Sequence, residues 1–165
     1  MKKLIVLILM LLPMGLMAQE VKVAVVDISK LYEVMPEVKK YQEAMDAATK
    51  EWEKQIADAK NEHDTKYADL VEKGDSLADN IKQWRTQELV ELQQKLENLY
   101  NYAQKSLADK EKELMAPIQE KIEKAIKDVG DENGYTYILH PQAVLYQSPS
   151  AIDATEKVIA KLGIK

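Results

Sequence analysis

From Pro36 to Pro117 the sequence is written almost entirely in residues that favour helix, and one glycine, Gly74, interrupts it near the middle. The halves on either side, 36 to 73 and 75 to 116, are nearly equal, and each is long enough for a helix of about 60 Å. In the first half, apolar residues fall at 38, 41, 45, 48, 52, 56 and 59, then His63, 67 and 70, in steps of three and four that trace one helix stripe. If the chain folds back about Gly74, each stripe position faces the residue whose number completes a sum of 148. Eight of those ten partners are apolar, and neighbouring registers match worse. The pattern predicts an antiparallel hairpin whose seam runs through Tyr41, Met45, Trp52, Ile56 and Tyr67 on one helix and Ile81, Leu92, Leu96, Ala103 and Leu107 on the other. His63 facing Arg85 is the one polar layer in mid-arm. Lys73, Gly74 and Asp75 form the tip, with Gly74 supplying a permissive backbone and Asp75 or Ser76 capping the second helix.

A two-helix hairpin has a thin seam and is marginal alone, so it must be rooted in something. The root lies at the two ends of the chain. Val21 to Val26 reads as a strand buried on both faces, and Asp27 caps a short helix that stops at Pro36. Beyond Pro117, which predicts a kink, apolar residues at 118, 122, 125, 126 and 129 give a wider stripe, ended by Gly130 or Gly134. Tyr135 to Leu139 and Ala143 to Gln147 read as strands joined across "HPQ". Asp153 and Glu156 have capping-box spacing at the start of a closing helix. The expected class is α+β, predominantly helical: a body from 19–35 and 117–165 and an arm from 36–116 with its tip near 72–76. Three short strands hardly close a sheet, which predicts sharing between copies through Val23, Val25, Ile138, Leu139, Val144 and Tyr146.

Lys2 and Lys3 ahead of the apolar run Leu4–Leu12, with a small residue at Ala18, outline a cleavable export signal over 1–18. Removing those two lysines takes the formal charge from −5 to −7, a sign that repels phosphate backbones and argues against nucleic acid. There is no cysteine, so an exported chain of this kind relies on packing or assembly rather than disulfides. The two histidines, His63 and His140, lack metal-ligand spacing, and no phosphate loop or nucleophile motif is present. The expectation is a protein with no catalytic group, no metal and no cofactor.

The opening "VKVAVVDISKLYEV" and the closing "NGYTYILHPQAVLYQSPSAIDATEKVIAKL", on either side of a charged helical hairpin, resemble the Skp/OmpH family of periplasmic chaperones. The specific parts are V-x-V-V-D, Y-x-x-I-L-x-x-x-A-V-x-Y, and D-x-T-x-x-V with Asp153, Thr155 and Val158. The resemblance implies a periplasmic homotrimer with a β-rich body and three helical arms around a cavity, holding unfolded outer-membrane proteins without ATP. One departure is marked. Well-known members carry a basic arm tip, whereas Glu62 to Arg85 holds four basic residues against six acidic ones, so no membrane or lipopolysaccharide contact is carried over. Trp84, Tyr102, Leu77 and Leu99 lie beside the expected seam and are the candidate contacts for a client chain. The competing reading is a structural envelope coiled coil that spaces other components.

Overall fold

The computed structural model describes residues 21–164, so the expected export signal lies outside the described residues. The elements run β1 (Val23–Val25), α1 (Ile28–Val34), α2 (Pro36–Lys73), a 3-10 turn (Gly74–Ser76), α3 (Asp79–Asn133), β2 (Tyr137–Leu139), a second 3-10 turn (Pro141–Ala143), β3 (Ile152–Asp153) and α4 (Thr155–Lys161). The class is α+β and predominantly helical, as expected.

Sheet order is β2-β1-β3, with both neighbours parallel to β1. Parallel neighbours require a crossover rather than a tight turn. Here the crossover from β1 to β2 contains the entire α2–α3 hairpin. Val26 N–H donates to Leu139 O at 2.9 Å and Ala154 N–H to Val25 O at 2.8 Å, so both flanking strands are held on β1 beyond the ladder itself.

Asp27 caps α1, its carboxylate accepting from Ser29 and Lys30 N–H, and Pro36 opens α2 in its first turn, where a missing N–H costs nothing. The core packs Ala24 and Val26 of the β1 segment against Leu31 and Met35. Ile118, Ile122, Ala125 and Val129 of α3 and Ala154, Val158 and Leu162 of the closing segment complete it. The wide apolar stripe after Pro117 is therefore the face of α3 that fills the core.

Several sequence expectations change. Helix α3 runs through Pro117 as one element to Asn133, so one continuous helix serves both the arm and the core stripe. It is Gly134, at φ 64°, that ends the helix in the left-handed region where glycine carries no Cβ penalty, and Gly130 is an interior helix residue. Ala143 to Gln147 is not a strand. Pro141 starts a 3-10 turn closed by Ala143 N–H on His140 O and Val144 N–H on Pro141 O, and the third strand is Ile152–Asp153 instead. Val21 and Val23 are exposed, so only Ala24, Val25 and Val26 of the opening run are buried. The capping box does not form. Asp153 accepts from Thr155 N–H at 2.9 Å, while the Thr155 hydroxyl accepts the Asp27 N–H at 3.0 Å across 128 residues of sequence.

Candidate functional site

The α2–α3 hairpin joins the two longest helices, and its register differs from the sequence expectation. Lys73 ends α2 and Asp79 starts α3, with Gly74–Ser76 in a 3-10 turn and Leu77 and Ala78 extended between them. The chain thus turns about residues 76 and 77 rather than about Gly74. The facing pairs Trp52 and Tyr102, Lys66 and Glu88, and Asp69 and Arg85 each sum to 154 rather than 148. Gly74 itself has right-handed helical dihedrals, φ −57° and ψ −36°, so the turn makes no demand that only glycine can meet. Neither Asp75 nor Ser76 caps α3; Ala78 occupies that place without a side-chain cap.

The shift leaves most of the expected seam inside. Leu96 and Ala103 are buried, and Tyr41, Met45, Trp52, Ile56, Leu92 and Leu107 are half-buried between the helices. Two expected seam residues are outside it: Tyr67 is 56 % exposed and Ile81 is also exposed. Their places at the far end are taken by Lys66, Asp69, Arg85 and Glu88, all half-buried. The expected layer of His63 on Arg85 is absent. The His63 ring stacks on Tyr67 at 6.3 Å between centroids, with its Nδ1 3.1 Å from Asp64, and Arg85 pairs with Asp69.

Of the four residues expected beside the seam, Trp84 and Tyr102 are 61 % and 63 % exposed, whereas Leu77 and Leu99 are half-buried. The structure separates even the exposed pair. Tyr102 meets Trp52 edge-on with centroids 5.4 Å apart, which ties it to the seam, and Trp84 borders a surface hollow with Thr65, Lys66, Asp69, Arg85 and Glu88. Exposed apolar residues that sequence reasoning missed are Val71, Val90 and Tyr100. The complementary charges Lys66/Glu88 and Asp69/Arg85 carried the signal for the true register, had charge been matched as well as hydrophobicity.

Ion pairs concentrate at the two ends of the arm. Distally, Lys66 reaches Glu88 across the seam and Glu62 one turn away; Asp69 holds both Lys73 and Arg85; Lys95 approaches Glu62 at 3.8 Å. The hydrogen bonds from Lys73 and then Arg85 hold the Asp69 carboxyl below its usual range, and Glu88 raises the Lys66 ammonium. At the root, Lys121 donates to Glu37 at 2.5 Å and lowers its pKa, while partial burial and then Glu111, 3.4 Å from the hydroxyl, raise Tyr41. Beside them Tyr41, Ala44, Leu114, Pro117 and Ile118 line a mainly apolar hollow of about 470 Å³.

On the sheet, the paired positions Val23 and Tyr137 are exposed, as is Leu139. Val25, expected between copies, is only 6 % exposed and is therefore buried within its own chain. Ile138 and Val144 are half-buried, and Leu145 and Tyr146 project from the loop after the second 3-10 turn, Leu145 fully exposed.

Among the described residues no group of three or more His, Cys, Asp or Glu could hold a metal ion, and no helix is long and apolar enough to cross a membrane. The family model described as outer membrane protein (OmpH-like) matches residues 22–162. A crystal structure of a candidate outer membrane chaperone (OmpH-like) from Caulobacter crescentus CB15 aligns with a TM-score of 0.73 at 15 % identity, covering 86 % of this chain and 83 % of that one. No curated protein matches the chain.

Proposed function

Because the chain belongs to the OmpH-like family, we propose that it is an ATP-independent holdase that binds unfolded outer-membrane proteins in the periplasm, reached through the export signal at 1–18. Three copies would share their sheets at a body formed from 19–35 and 117–165, leaving three arms, 36–116, around a cavity. The observation that carries this reading is the distribution of Trp84, Tyr102, Tyr67, Val71, Val90 and Tyr100, exposed apolar groups strewn along a long hairpin among charges of both signs. A surface of that kind offers many weak contacts to a disordered apolar chain and no single tight one, so captured chains can be released without an energy source.

Trp84 is the first contact residue of this reading, with Tyr102 beside it and Leu77 and Leu99 secondary because the seam half-covers them. Val23, Leu139 and Tyr146, with Ile138 and Val144 behind them, are the packing surface between copies. The acidic tip around Lys73, Gly74 and Asp75 makes contact with an anionic membrane unfavourable.

The test is aggregation of a urea-denatured β-barrel protein on dilution, followed by light scattering without nucleotide. Suppression at about one trimer per client is the expected result. Unchanged scattering would reject the holdase and leave a structural spacer in its place.

A further inference from the structure

The two ends of the arm are closed by different forces. Its only buried seam side chains are Leu96 and Ala103, and the aromatic contact of Trp52 with Tyr102 lies level with them. Beyond Leu96 toward the tip no side chain of the seam is fully buried, and the half-buried positions that face across it include Lys66, Asp69, Arg85 and Glu88. Three ion pairs cross the seam there, Lys66–Glu88, Asp69–Arg85 and Glu62–Lys95. Each is partly exposed, so solvent ions reach it and screen it.

We propose that the segment from Glu62 to Lys95 is an electrostatic zipper that parts as ionic strength rises, while the arm from its root to Leu96 and Ala103 stays closed. An exposed pair favours the closed form by about twofold, so three acting together favour it by roughly tenfold. Screening grows from a Debye length of about 20 Å in 20 mM salt to about 4 Å in 500 mM. Once parted, the two distal helices lose the neighbour that supports them, and isolated helices of this length are marginal in water. Parting also uncovers Leu70 and Leu89, which sit half-buried among the charges. That ionic strength thereby adjusts the apolar area offered to a client rests on the holdase reading; the parting does not.

Amide hydrogen exchange of the full chain at constant pH, in about 20 mM and about 500 mM sodium chloride, measures the effect segment by segment. Amides of 62–72 and 80–94 should exchange about tenfold faster at the higher salt. Those of 45–56 and 98–110 should change less than about twofold. Acceleration along the whole arm, or none in the distal segments, would overturn the proposal. The double substitution Arg85→Gln with Glu88→Gln should bring fast distal exchange to low salt and flatten its salt response; a response of undiminished size would exclude these pairs as the lock. Because exchange is read without a client, failure here leaves the aggregation assay standing, and the reverse also holds.

Discussion

Replacing Thr155 by valine tests the contact that joins the two ends of the chain. The side chain is 2 % exposed, the one buried polar residue among those described, and its hydroxyl accepts the Asp27 N–H at 3.0 Å. Valine matches threonine in shape and branching, so Thr155→Val leaves no cavity; it leaves the Asp27 N–H without its acceptor in a partly buried place. Orphaning such a group costs about 1–3 kcal/mol. With a urea m-value of about 2 kcal/mol per molar the midpoint should fall by about 0.5–1.5 M. Thr155→Ser keeps the hydroxyl and removes one buried methyl, which costs about 0.8 kcal/mol. Unfolding followed by circular dichroism at one fixed protomer concentration, necessary because assembly would also shift the midpoint, should therefore rank wild type above Ser and Ser above Val.

The same hydroxyl has a pH signature. Its hydrogen bond, and then that of the Thr155 amide, hold the Asp153 carboxyl below the usual carboxylate range. A carboxyl whose folded value is depressed contributes stability above its unfolded value, and the contribution is lost as pH falls through the folded one. The gap between wild type and Thr155→Val should thus be widest at neutral pH and narrow below about pH 4. Equal midpoints for Val and wild type, or Val more stable than Ser, would refute the argument that this hydroxyl fastens β1 to α4.

Gly74→Ala should stabilise the hairpin by about 0.4–1 kcal/mol, read as a higher melting temperature, because the backbone is already right-handed. A Cβ there would meet Leu70 Cδ1 at 3.7 Å and Lys82 Cε at 3.9 Å, ordinary contacts. Trp84→Ala should weaken client retention in the scattering assay while the melting curve moves by less than about 0.5 kcal/mol. Tyr102→Ala should add a stability loss of about 1 kcal/mol by removing the edge-on contact with Trp52. Tyr146→Asp should lower the assembled mass in sedimentation with protomer circular dichroism intact, whereas Val25→Asp should unfold the protomer, since Val25 is buried within its own chain.

The hairpin and its stripe were legible because a period of 3.6 repeated over ten positions, nine of them apolar, is a strong signal. The short helix behind Asp27 and the core stripe after Pro117 were legible for the same kind of reason, a cap and a period. Register was not, because counting apolar partners ignores the charges that hold the distal seam, and because a turn of five residues displaced the pivot from Gly74. Tyr67 was misplaced because the half-buried face of distal α2 runs through His63, Lys66, Asp69 and Leu70 instead. The third strand escaped because Ala143 to Gln147 has the composition of a strand but no partner within the chain, while Ile152–Asp153 is two residues long and exists only because β1 offers a free edge. Helix α3 continues past Pro117 for a simpler reason. A proline lacks one hydrogen bond, and packing of Ile118 and Ile122 on the core outweighs that loss.

The placement of the whole hairpin within the β1–β2 crossover has a kinetic consequence. Lys22 and Thr136, bonded to one another, are 114 residues apart along the chain, and closing so long a loop unaided is entropically slow. Zipping α2 onto α3 shortens the search stepwise, since every turn that docks brings the two ends nearer. The opening strand, made before the hairpin, must wait as an unpaired edge until that zipping is done. Changes at the turn around residues 76 and 77 should accordingly slow refolding far more than they alter the finished structure.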